Sequence, residues 1–146
     1  MELIDELADA YLLRSYELQN VLNTKTGEIL LDGDEGITGE PSIDWDDEEA
    51  DDLYIIPQIS SDEGFDVMQQ FALEQDGDIS NKLLNALNQN KPFRRFKDKV
   101  IQLDLVEKWY KYEKKAAEKA VMGWLEEIGQ SYQDLNEKYL RYNKTF

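Results

Sequence analysis

Apolar residues along this chain recur mostly at intervals of three and four, with one stretch of short runs in between. Leu3, Ile4, Leu7, Ala8 and Tyr11 share one side of a helical period, with acids between them. They predict a short amphipathic helix over residues 2–13. Glu2 and Asp5 suit its N-terminal end, where carboxylates meet unpaired N–H groups. Short apolar runs then span Tyr16 to Asn23 and Glu28 to Asp32. Gly27 has no Cβ and can take the positive φ that closes these runs into a hairpin. Leu53 to Ile56 reads as a third strand ended by Pro57. A three-stranded antiparallel sheet is the simplest product.

From residue 60 onward the pattern is helical. Ser60 and Glu63 form a capping box ahead of Phe65, Met68, Phe71 and Ala72, in a helix running to about Gln75. Gly77 reads as its stop, with Asp78 or Ser80 capping a second helix that carries Ile79, Leu83, Leu84 and Leu87. Pro92 suits a first helical turn, and Phe93, Phe96 and Val100 follow on one face. Asp104 is placed to cap the longest helix, residues 105–128. Its stripe is Leu105, Trp109, Tyr112, Ala116, Ala120, Trp124 and Ile128. Gly129 is placed to end it in a left-handed conformation. Ser131, with Asp134 three residues on, opens a last helix bearing Tyr132, Leu135 and Tyr139. The chain therefore reads as α+β: a small antiparallel sheet of about three strands packed by five or six helices, with a helical C-terminal half. No internal repeat or linker is visible, so residues 1–146 read as a single domain.

Charge changes this picture locally. Eleven of the residues from Asp32 to Asp52 are acids, none is basic, and three are Gly. Like charges this dense repel, and Gly and Pro41 interrupt a helix, so 32–52 is expected to be a mobile acidic loop. Residues 1–90 hold 23 acids against 3 bases, whereas residues 91–119 hold 10 bases against 5 acids. The whole chain carries −16. A particle of that charge is repelled by nucleic acid and by anionic lipid, although a local basic face can still bind phosphate.

Composition excludes much chemistry. There is no cysteine, hence no disulfide, thiol nucleophile or thiolate metal site. There is no histidine, hence no Ser-His-Asp or Cys-His arrangement, and zinc or haem ligation of the usual kinds is disfavoured. Catalysis would fall to carboxylates, Lys, Tyr or an oxygen-coordinated metal. Acids are so many that no pair stands out. Asp32-Gly33-Asp34-Glu35-Gly36 begins like a calcium loop. Its sixth position is Ile37 rather than Gly and its twelfth is Ile43 rather than Glu, so no metal site is read there. Gly33, Gly36 and Gly39 sit among acids that would repel a phosphate, and no nucleotide or other cofactor is read. The acid-rich N-terminus does not resemble a secretory signal, and no apolar run is long enough to span a bilayer. These points lead to an expectation of a cytoplasmic, cysteine-free acidic protein.

The residues left as candidates for contact are Arg94, Arg95, Lys97 and Lys99, which lie among Phe93, Phe96 and Val100, together with Tyr110, which falls off the long helix's stripe. Arginine beside aromatics is the palette for single-stranded nucleic acid. It is also what the solvent side of an ordinary amphipathic helix looks like.

Several blocks, in this order, resemble a known family. They are Asn23 to Leu31 (NTKTGEILL), Leu53 to Pro57 (LYIIP), the segment Ser61 to Phe71, Pro92 to Asp98 (PFRRFKD), Trp109 to Glu113 (WYKYE) and Trp124-Leu125. The chain is similar to the bacterial uncharacterised protein family numbered zero-one-five-eight in the UPF series, over roughly residues 3–128. Residues 130–146 read as a C-terminal helical extension beyond those blocks. The resemblance implies a bacterial cytosolic origin and a single α+β domain, and it carries no activity or catalytic residue. The expected function is a non-catalytic module that binds a protein partner through the basic helical face. Nucleic-acid binding through that face is the alternative, and a carboxylate- or metal-dependent enzyme comes third. Oligomeric state is open.

Overall fold

In a computed structural model of the chain, which describes residues 1–144, helix α1 (Leu3–Tyr11) precedes a hairpin of β1 (Gln19–Asn23) and β2 (Ile29–Asp32). Strand β3 (Leu53–Ile55) pairs with the other edge of β1, giving an antiparallel sheet of order β2-β1-β3. Val21 and Leu22 are neighbours on β1, so they point to opposite faces. Both are fully buried, so the central strand is covered on both sides. The hairpin turn is closed as its residues dictate. Asn23 Oδ1 accepts the N–H groups of Lys25 and Thr26, and Gly27 takes φ +79°.

Between β2 and β3 the acidic segment forms two short helical pieces, α2 (Glu35–Thr38) and a 3₁₀ turn (Glu48–Asp52). The sequence reading, which expects Gly and proline to bar helix there, misses both. Carboxylates are the reason. Asp34 accepts the N–H of Gly36, Asp44 that of Asp46 and Asp47 that of Glu49, so each acid nucleates a turn locally.

The helical part comprises α3 (Ser61–Leu73), α4 (Gly77–Leu87), α5 (Pro92–Gln102), α6 (Val106–Glu127) and α7 (Tyr132–Lys144). Among the described residues there are therefore seven helices, counting the one-turn α2, with a three-stranded sheet. The Ser60–Glu63 capping box forms in both directions, at 3.1 and 3.2 Å. Pro92 opens α5, and Gly129 is left-handed at φ +73°.

Two capping assignments differ from the sequence reading. Gly77 is the first residue of α4 rather than the stop of α3, because the Asp76 carbonyl already accepts the Ser80 N–H at 2.7 Å. Ser80 itself lies buried within α4. Asp104 does not cap α6 but ends α5. It is left-handed at φ 57°, its N–H reaches the Ile101 carbonyl, and the Leu105 N–H reaches that of Val100. That pair of bonds is a Schellman motif, with Asp in the place more often held by Gly. The stripe of α6 also shifts. Leu105 and Trp109 are buried as expected, but beyond them Ala117, Val121 and Leu125 are the buried positions, one residue on from Ala116, Ala120 and Trp124.

The chain forms two compact units, Met1–Gln58 with Ala117–Phe146, and Ile59–Ala116. In the first unit α7 packs against α1 and supplies its N-terminal acceptors. Leu3 N–H donates to Asn136 Oδ1 at 3.0 Å, and Ile4 N–H to the Tyr132 hydroxyl at 3.3 Å. The same helix holds the hairpin, since Lys138 Nζ donates to the Thr24 carbonyl and the Tyr142 hydroxyl to Glu28. The second unit is built around an aromatic cluster. The Trp109 ring centroid lies 5.0 Å from that of Phe96 and 5.3 Å from that of Phe71, both edge-on, with Met68, Leu83, Leu87 and Val100 packed around them. No helix among the described residues is long and apolar enough to cross a membrane.

Candidate protein-interaction face

Everything singled out for contact in the sequence lies in the second unit, on α5 and the start of α6. Phe96 and Val100 anchor α5 by pointing inward, at 0% and 2% exposure. Successive residues step about 100° around a helix. With the inward side so defined, Arg94 and Lys97 fall on one flank and Arg95 and Lys99 on the other. The basic face read from the sequence is thus divided in two.

The Arg95 flank faces α4. Arg95 Nε donates to the Asn90 carbonyl at 2.7 Å and Nη2 to Asn90 Oδ1 at 3.0 Å, which ties down the turn between α4 and α5. Lys99 is half-buried and donates to Gln102 Oε1. With Lys82, Asn85 and Asp98 they border a polar depression of about 220 Å³. Lys82 pairs with Asp78 at 3.3 Å, so the cations of this flank, Lys82, Arg95 and Lys99, are already engaged within the unit.

The Arg94 flank is different in kind. Ile101 is 65% exposed and Tyr110, on α6, is 61% exposed. They stand with Lys97, Val106 and Glu113 around an apolar depression of about 130 Å³ that reaches Val100 and Trp109. At the other end of α5, Phe65, Pro92 and Phe93 line a wider open groove of about 530 Å³, with Lys91, Arg94 and Asp62 on its rim. One side of α5 therefore carries apolar ground at both ends with Arg94 and Lys97 between. Ile101 and Phe65 are missed by the sequence reading. The signal for Ile101 was present, since it stands off the Phe93–Phe96–Val100 face on the solvent side.

The Tyr112 hydroxyl is pushed up to about 12 by burial and by its hydrogen bond to Glu74. Tyr139, in the first unit, is likewise pushed up to about 12 by burial and then by Glu6. Among the described residues no three acids converge as a metal-binding group.

The family described as "Uncharacterised protein family (UPF0158)" matches residues 1–145. The chain belongs to that family. No curated protein and no solved structure matches it. The UPF0158 match takes in α7 as well, beyond the end near residue 128 that the motif blocks mark. The bonds from α7 to α1 and to the hairpin give the physical reason, because without α7 the α1 N-terminus and the Gly27 turn lose their partners. Residues 145 and 146 of the 130–146 segment lie outside the described structure.

Proposed function

We propose that this UPF0158 protein is a non-catalytic interaction module of the bacterial cytosol, binding a protein partner through the Arg94–Lys97–Ile101 flank of α5 and Tyr110 of α6. The observation that carries this reading is the joint exposure of Ile101 and Tyr110 beside an apolar depression bordered by Lys97 and Glu113. Large apolar side chains grouped around a concavity and rimmed by charge mark a contact surface, and Tyr and Arg are the usual anchors of one. The absence of histidine and cysteine supports the non-catalytic half of the reading.

Single-stranded nucleic acid fits this geometry less well. Phe96 and Trp109 are 0% and 3% exposed, so the stacking faces that such binding needs lie inside.

Site-specific photo-cross-linking tests the proposal. A benzophenone amino acid at Tyr110 should give discrete protein adducts in cells, lost on Lys97→Glu. The same group at Tyr16, a fully exposed tyrosine of the first unit, should not. The same adducts from both positions, or none from Tyr110, would overturn the reading.

A further inference from the structure

The chain itself carries a segment complementary to this flank. Asp44, Trp45, Asp46 and Asp47 form a turn, closed by the Asp47 N–H on the Asp44 carbonyl and by the Asp46 N–H on Asp44 Oδ1 at 3.1 Å. Trp45 sits on that turn with 41% of its surface exposed, between carboxylates on both sides. Tryptophan is the residue with most to gain from leaving water and is the commonest interface anchor. A constrained turn also presents it at little entropic cost. The groove at the start of α5 has the opposite character. Its lining is Phe65, Pro92 and Phe93, its volume of about 530 Å³ accommodates an indole, and Lys91 and Arg94 stand on its rim with Asp62 as the one acid.

We propose that copies of this chain associate by seating Trp45 of one copy in the Phe65–Pro92–Phe93 groove of another. Asp44, Asp46 and Asp47 then lie against Lys91, Arg94 and Lys97. This deepens the interaction reading above and rests on it, by naming a second copy as an occupant of the face. The turn and the groove are different surfaces of the chain, so each such contact is heterologous.

Electrostatics give the proposal a signature. Each copy carries −16, so whole particles repel, while the contacting patches attract. Screening lengths are about 30 Å at ~10 mM salt, 8 Å at ~150 mM and 3 Å at ~1 M. At low salt the long-range repulsion dominates, at intermediate salt it is screened while close pairs persist, and at high salt the pairs weaken as well. Association therefore peaks at intermediate salt. Simple attraction to a basic patch would fall throughout, and purely apolar association would not.

The test is sedimentation equilibrium on the full chain from about 1 to 200 μM at those three salt concentrations. Mass should rise with concentration, most at ~150 mM. Trp45→Ala, and separately Arg94→Glu with Lys97→Glu, should each weaken association about tenfold or more, with circular dichroism unchanged. A chain with Asp46→Lys and Asp47→Lys should also lose self-association, and mixing it with the Arg94→Glu, Lys97→Glu chain should restore a mixed complex. A monomer under all conditions, or association indifferent to Trp45→Ala, overturns the proposal. Tyr110 adducts to other proteins alongside a monomeric chain would sink this inference and leave the interaction reading standing.

Discussion

Gly27 lies so close to Tyr139 that a Cβ on the glycine would stand 2.6 Å from the tyrosine's backbone nitrogen and 2.9 Å from the Leu135 carbonyl oxygen. Both obstacles are helix backbone and neither can yield cheaply. The hairpin turn and α7 thus meet without a side chain between them, 112 positions apart in the chain.

Substitution of Gly27 by alanine is expected to cost at least about 2 kcal/mol, from the left-handed φ together with the clash. Gly129→Ala provides the comparison. Its φ is +73°, but nothing lies within 4 Å of an added Cβ, so only the conformational cost of about 1 kcal/mol applies. Urea unfolding of the two variants measures the difference. Equal losses would show that the close approach contributes nothing.

The acceptors that α7 offers to α1 should be unequal. Asn136→Ala leaves the N–H of fully buried Leu3 without its acceptor and is expected to cost about 1 kcal/mol. Tyr132→Phe removes the longer bond to Ile4 and is expected to cost less. The order of their unfolding midpoints checks this, and a reversed order would refute the ranking of Asn136 above Tyr132 as an acceptor for α1.

Alkaline pH should weaken the protein in a defined window. Tyr112 and Tyr139 are each raised to about 12 in the fold, against an ordinary value of 10.0. The native state therefore holds these protons more tightly than the unfolded chain does. The stability they contribute is complete below about pH 10 and is lost as pH rises from there through about 12. Tyrosinate absorbance of the native protein should show late-ionising groups among its 8 tyrosines, and urea midpoints should fall across that window. Simultaneous ionisation of all tyrosines near 10 in the folded protein would contradict it.

Aromatic positions on α5 and α6 should respond very unequally to truncation. Phe96→Ala opens the centre of the Phe71–Phe96–Trp109 cluster and is expected to cost about 3–5 kcal/mol. Tyr110→Ala, one residue from Trp109, is expected to change stability by no more than about 0.5 kcal/mol, since its ring stands in solvent. Thermal unfolding of both variants decides the matter. A large loss at Tyr110 would place that ring in the core and remove it from the proposed face.

Periodicity alone determined the kinds of element and their order. A repeat of three and four reaches the core only as helix, and Asn23 with Gly27 closes only a hairpin, so α1, the hairpin, β3 and the five long helices were all legible locally. The inward turn of Phe96 and Trp109 was legible for the same reason. Tertiary structure decided what depends on partners distant in sequence. The helical period drifts over six turns, so which side of late α6 is buried, Ala117 and Val121 rather than Ala116 and Ala120, is chosen by what packs there. The roles of Gly77 and Asp104 turned on which of two adjoining helices claimed the residue. The division of the basic stretch followed from rotation around α5, which puts Arg94 and Arg95 on opposite flanks although they adjoin in the chain. The structural role of α7 was invisible in its own residues, because its partners Leu3, Thr24 and Gly27 lie more than a hundred positions away and only folding brings them within bonding distance.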